Sequence, residues 1–99
     1  MTDDLARLCA LLANPHRLAI VRRLLRGEAS AGDLARATRS SASATSNRLR
    51  ELQEGGLVEG RREGRRVLYR LAHPETKRAL QRMEALSSLT GASYQLLDG

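Results

Sequence analysis

The chain has no phenylalanine and no tryptophan, and Tyr69 and Tyr94 are its whole aromatic content. Its core must therefore be packed from leucine, alanine, valine and isoleucine. In 99 residues such a core gains from association with a second copy. The single cysteine, Cys9, excludes an intrachain disulfide framework and any zinc site built on several thiolates. No apolar run approaches the length needed to cross a membrane, and the opening MTDDLARL lacks a basic leader region. A soluble cytoplasmic protein with no membrane partner is expected. The two histidines, His16 and His73, each stand beside a proline at a helix start, the place of capping or surface residues. No metal and no cofactor are expected. Enzymatic chemistry also lacks its parts. There is no nucleophile–base pair, no glycine-rich phosphate loop and no pair of carboxylates in an apolar setting, and Pro15 breaks the helical register between Cys9 and His16.

Lysine is nearly absent as well. Lys77 stands against sixteen arginines, and the formal net charge is +6. Arginine presents a rigid fork of donors that matches phosphate and the guanine edge, so a polyanionic partner is one reading of this balance. Arginines scattered over solvated faces by a GC-rich genome would be the other, and clustering separates the two.

The chain reads as one domain over residues 1–99, made of helices with short punctuation. Thr2–Ala13 places Leu5, Leu8, Cys9 and Leu12 at helical spacing, with Asp3 and Asp4 at the positive end of the dipole. Asn14-Pro15 caps and opens a second helix to Arg26, with Leu18, Val21, Leu24 and Leu25 inward, and Gly27 stops it. Ser30-Ala31-Gly32-Asp33 opens a short third helix with an aspartate variant of the capping box, ending near Thr38-Arg39. Ser40 or Ser41 caps a fourth helix that runs to about Glu54, with Thr45, Leu49 and Leu52 inward and Gly55-Gly56 at its end. Leu57–Arg61 and Arg66–Leu71 then alternate as two strands joined through Arg62-Glu63-Gly64-Arg65. Pro74 opens a last helix with Ala79, Leu80, Met83 and Leu86 on one side, fading near Thr90-Gly91; the tail ASYQLLDG is left unassigned. This is a mainly α chain with a small β-hairpin: a helix-turn-helix followed by a wing.

Chemistry concentrates in the fourth helix and the hairpin. The front of the helix carries Ser41, Ser43, Ser46 and Asn47, with Arg48 and Arg50 one turn on. Capping accounts for Ser40 and Ser41 but not for Ser46 and Asn47, which lie a turn inside. Short polar side chains at a helix tip allow close approach to base edges, and asparagine is a natural partner for adenine. Arg61, Arg62, Arg65 and Arg66 fall within six residues around Gly64. Cations packed so closely repel one another in water and become favourable against phosphate. A double-stranded DNA partner follows.

The run SSASATSNRLRELQEGGLVEGRREGRRVLYRL, together with LANPHRLAIVRRLL upstream, resembles the second helix, recognition helix and wing of the ArsR/SmtB repressors over roughly residues 5–86. The resemblance implies a homodimer joined by the first and last helices, with Leu5, Leu8, Leu12, Leu80, Met83 and Leu86 at its interface. It also implies repression of the chain's own operon through a palindromic operator. DNA contacts carry over to Ser41, Ser43, Ser46 and Asn47, with Arg50 toward the backbone and the wing arginines beside it. Many members have His-His where this chain has Asn47-Arg48, a change that bears on the preferred DNA sequence. The family's metal sites are not reproduced. The helix matching Ser30–Thr38 has no cysteine, and Pro74–Thr90 has no histidine. Members that sense oxidants pair two cysteines in one subunit, which a lone Cys9 cannot do. Cys9 either completes an apolar face or meets its symmetry mate in an oxidisable pair.

The competing class is a winged-helix module that binds an acidic protein partner. Such an interface calls for large apolar or aromatic anchors where Ser43, Ser46 and Asn47 stand.

Overall fold

The computed structural model describes residues 3–98, with side chains described as far as Gly91. Its elements run α1 (Asp4–Leu12), α2 (Pro15–Leu24), β1 (Ala29–Ser30), α3 (Ala31–Thr38), α4 (Ala42–Glu54), β2 (Val58–Glu63), β3 (Arg66–Leu71) and α5 (Glu75–Asp98). The three strands form one antiparallel sheet in the order β1-β3-β2.

Helices α1 to α4 each begin where a short polar side chain meets otherwise orphaned amides. Asp3 accepts from the amides of Leu5 and Ala6, and Asn14 from those of His16 and Arg17, with Pro15 as the first helical residue. Ser30 and Asp33 exchange hydrogen bonds in a full capping box, and the Ser41 hydroxyl accepts from the Ala44 amide at 3.1 Å. The aspartate variant thus serves as well as glutamate, because Asp33 sits close enough to reach back to the Ser30 amide.

The core is one cluster: Ile20, Val21 and Leu24 from α2, Ala29 from β1, Leu34 from α3, Leu49 and Leu52 from α4, Leu57 and Val58 at the start of β2, and Leu80 from α5. Branched aliphatics do the packing, as the lack of aromatics requires. Tyr69 flanks the cluster instead, and its ring covers Gly60, its cross-strand partner; a Cβ there would stand 3.2 Å from the ring.

Several boundaries differ from the sequence expectation. The helix expected from Thr2 starts at Asp4, and Thr2 lies outside the described residues. Helix α2 ends at Leu24 rather than Arg26, because the chain must turn into Gly27 at φ +133°. Ile20 is buried although the periodicity pointed to Leu18 and Leu25, which are only half-buried. Strand β1 has no counterpart in the sequence reading; two residues show no alternation, and their pairing depends wholly on the edge of β3. Helix α5 begins just after Pro74 and continues through Gly91 to Asp98, since a lone glycine weakens a helix by only about 1 kcal/mol. The side chains of the unassigned tail from Ala92 on, Tyr94 included, lie outside the described ones.

Among the described side chains of α5 only Leu80 joins the core; Gln81 to Gly91 are all exposed. The radius of gyration is accordingly 15.0 Å, above the about 13 Å of a compact chain of ~100 residues.

Leu34 has no exposed surface and joins α3 to the cluster. Leu34→Ala is expected to lose about 2–5 kcal/mol of unfolding free energy in urea titration. A loss below ~1 kcal/mol would show that α3 is not held through this side chain.

Candidate nucleic-acid interface

Helix α4 is divided by what it buries. Thr45, Leu49 and Leu52 face the core, and the Thr45 hydroxyl is satisfied by the Ser41 carbonyl at 2.9 Å. The 3.6-residue period then turns Ser43, Ser46, Asn47 and Arg50 outward. All four are exposed, as is Ser41. The Ser41 and Ser43 hydroxyls lie 3.4 Å apart, while Ser46 and Asn47 make no side-chain hydrogen bond within the described chain. Arg50 lies loosely beside Glu54 at 3.9 Å. The front of α4 thus offers uncommitted donors and acceptors.

Arg48 does not belong with them. It is half-buried, donates to Glu51 at 2.8 Å, and its Nε is buried without a partner. It lies one turn after Thr45 and beside Leu49, at the margin of the buried stripe, and its charge is spent on the protein. Glu51 is shared with Arg17 of α2. The hydrogen bond from Arg48, then that from Arg17, holds the Glu51 carboxyl below the usual carboxylate range.

The wing also sorts its arginines. The strand pairing runs out to Glu63 opposite Arg66, so the turn is only Gly64-Arg65. Gly64 takes φ +64° at the first turn position, as a type II′ hairpin turn requires. Arg61 and Arg62 point to opposite faces of the strand. Arg61 grips Glu28 just before β1, at 2.7 and 3.1 Å, and also meets Glu63 at 3.0 Å. This grip lowers the Glu28 pKa and raises that of Arg61, with Arg70 adding to the pull on Glu28. Arg66 comes within 3.6 Å of Asp33. Arg62 and Arg65 have no partner among the described residues. Of the four expected phosphate-gripping arginines, two are free, Arg66 is loosely held, and Arg61 fastens the wing to the body. Sequence spacing gave no sign of this, because Glu28 lies 33 residues away.

Arg39 was missed by the sequence reading. It ends α3 in the left-handed conformation, φ 53°, and its amide bonds back to Arg36 while the Ser40 amide bonds to Ala35. This Schellman arrangement ordinarily takes glycine. Arg39 is exposed, has no side-chain partner in the described chain, and precedes the α4 cap by two residues. The usable signal was the missing glycine in a helix-turn-helix turn.

A second surface is apolar. Leu5 and Leu8 of α1, and Met83, Leu86 and Leu89 of α5, are exposed large hydrophobics; Leu89 extends the stripe beyond the sequence expectation. Two residues expected at the same interface lie elsewhere. Leu80 is a core residue, 4% exposed, because it packs into the buried aliphatic cluster, and Leu12 is half-buried against the core. Cys9 is an exposed free thiol on α1. His16 and His73 are exposed, and no cluster of metal-binding side chains forms among the described residues.

Residues 12–61 match a helix-turn-helix domain family. The chain is 41% identical over 78 residues to an HTH-type transcriptional regulator of Mycobacterium tuberculosis, covering 79% of this chain and 34% of that protein. It is 34% identical to a biofilm growth-associated repressor of Agrobacterium fabrum, covering 84% of this chain and 71% of that one. The chain thus spans about a third of the first relative's length. Among solved structures, it resembles the homodimeric winged helix-turn-helix DNA-binding domain of a possible ArsR-family transcriptional regulator from Mycobacterium bovis. The TM-score is 0.80 at 37% identity, over 87% of this chain and 80% of that one.

The sorting of arginines predicts distinct outcomes in DNA titrations at varied salt. Replacing Arg62 and Arg65 together by alanine is expected to reduce the log–log salt slope by about 1.8, or ~0.9 per lost phosphate contact. Arg61→Ala is expected to lower the melting temperature while leaving the slope nearly unchanged. Arg39→Gly is expected to raise stability by up to about 1 kcal/mol, through relief of the left-handed strain, and still to flatten the slope. Equal slopes for the Arg62/Arg65 variant and the parent would remove the wing from the interface.

Proposed function

The chain belongs to the ArsR/SmtB family of winged helix-turn-helix transcriptional regulators, and from that premise we propose that it is a dimeric, sequence-specific repressor acting at a palindromic operator of its own operon. In this reading α4 enters the major groove, with Ser43, Ser46 and Asn47 at base edges and Ser41 and Arg50 near the backbone. Arg62 and Arg65 contact phosphate from the wing, with Arg66 beside them, and Arg39 contacts it from the turn. The observation that carries the reading is the uncommitted polar front of α4, whose Ser46 and Asn47 side chains have no hydrogen-bond partner among the described residues. An acidic protein partner would find no apolar anchor there.

Dimerisation uses the exposed apolar side chains of α1 and α5, chiefly Leu5, Leu8, Met83 and Leu86. Burying them in a two-fold interface supplies apolar area that the small aromatic-poor core lacks. The homodimeric state of the Mycobacterium bovis relative supports this arrangement. A redox response through Cys9 is supported by its exposure on α1 beside that face. Two thiols, one from each protomer, would give a disulfide while a peroxide is reduced to water.

Fluorescence anisotropy on DNA from upstream of the gene, against a scrambled duplex of equal length, tests the reading. A salt-dependent preference for the upstream DNA is expected. Asn47→Ala should reduce that preference by about 1–3 kcal/mol if it reads a base bidentately. Peroxide should abolish it in the parent and not in Cys9→Ser. No preference at any salt would reject the repressor and favour an acidic protein partner.

A further inference from the structure

Helix α1 has no buried residue, yet the proposed dimer hangs on it. Its seat on the body combines the half-buried Leu11 and Leu12 with a specific polar contact. Its last turn carries no basic side chain of its own. Arg17, reaching back from α2, fills that role: its Nε donates to the Leu11 carbonyl at 2.6 Å and a terminal nitrogen to the Ala10 carbonyl at 3.1 Å. A cation placed on the carbonyls of a helix's last turn is the favourable arrangement for the dipole, and the Ala10 carbonyl also accepts from the Ala13 amide at 3.2 Å. The other terminal nitrogen of the same guanidinium pairs with Glu51 of α4. Glu51 in turn takes Arg48 from one turn earlier on α4. The Arg17 side chain is only 17% exposed and Glu51 31%, so the pair is largely shielded from salt. Beside it, the Leu11 side chain lies over Gly55 so closely that a Cβ there would stand 2.5 Å from Leu11 Cδ2.

We propose that Arg17 is a positioning residue that locks the dimer-forming helix α1 to the recognition helix α4, and so fixes the distance between the two recognition helices of a dimer. This inference rests on the dimeric DNA-binding reading. A two-fold regulator selects operators by the separation of their half-sites, which must match that distance. One planar guanidinium bonded to both helices transmits the angle between them; a surface ion pair on flexible side chains would not. Arg17 touches no DNA in this account. It sets which half-site spacing is accepted, and leaves to α4 which bases are read.

The test uses the full chain with Cys9→Ser and a nitroxide on Gln53→Cys, an exposed site on α4. Inter-protomer distances are measured by pulsed electron resonance. In parallel, the unlabelled protein selects inverted-repeat duplexes from a random pool, and affinity is measured as the half-site spacing is varied. Glu51→Gln is the main variant, since it keeps shape and removes the charge; Arg17→Gln is the second. Ile20→Val is the control for a generally loosened core. Both test variants should remain dimeric and bind random duplex as the parent does. Their distance distribution should broaden, and preference for the selected spacing should fall by about tenfold, an ordinary size for coupling between sites. The control should keep both narrow. Dimeric Glu51→Gln with the parental distribution and spacing preference would overturn the inference and leave the repressor reading intact. A parent that gives no inter-protomer distance, or selects no duplex, would overturn the reading beneath it and the inference with it.

Discussion

Burial of Thr45, Leu49 and Leu52 along one stripe of α4 is the constraint on which the rest of the molecule depends. A helix of 13 residues that commits three positions to the core has no freedom left in its rotation about its own axis. Everything at its front, Ser43, Ser46, Asn47 and Arg50, is displayed because the stripe is hidden. The third helix meets the same cluster through Leu34, the second through Ile20, Val21 and Leu24, and the wing through Leu57 and Val58. A chain without phenylalanine or tryptophan achieves this with interlocked branched aliphatics. Among the described residues, the exposed large hydrophobics lie on α1 and α5, where a second copy can cover them.

Electrostatics adds a division of labour among chemically identical side chains. Arg61 and Arg70 share Glu28, Arg17 and Arg48 share Glu51, and Arg22 meets Glu84 across α2 and α5. These pairs hold elements together at a net positive charge that would otherwise push them apart. Arg39, Arg62 and Arg65 lack such partners in the described chain. The same residue type therefore builds the frame and supplies its free charge, and the acidic side chains decide which arginine does which. Glu28 and Glu51 each sit between two cations, which keeps both carboxyls ionised well below neutrality. The contacts of Glu28 and Glu51 are thus present at physiological pH, and are lost only as pH falls below the ordinary carboxylate range.

Much of this was legible in the sequence, for reasons that can be named. The starts of α2, α3 and α4 were marked by Asn14, Ser30 and the Ser40-Ser41 pair, whose capping is a local event, whereas Asp3, expected inside a helix from Thr2, is the cap of α1. The inward stripe of α4 followed from its period, and the hairpin from alternation about Gly64. What was hidden is non-local. Strand β1 exists only because β3 offers it an edge, and Arg61 is tied up only because Glu28 folds beside it. Leu80 looked like part of an interface stripe and is, among the described side chains, the one residue through which α5 enters the core. Arg48 looked like a neighbour of Asn47 in function and is a neighbour of Glu51 in space. Spacing along a helix tells which face a residue takes; it does not tell what stands opposite.

We propose that the front of α4 and the tip of the wing meet DNA together while α1 and α5 meet a second copy. Amide chemical-shift mapping of the isotopically labelled chain with a duplex that it selects from a random pool addresses this most directly. Shifts concentrated at residues 39–50 and 62–66 are expected, with α1 and α5 unmoved by DNA. Shifts confined to α5, or absent from the front of α4, would contradict it.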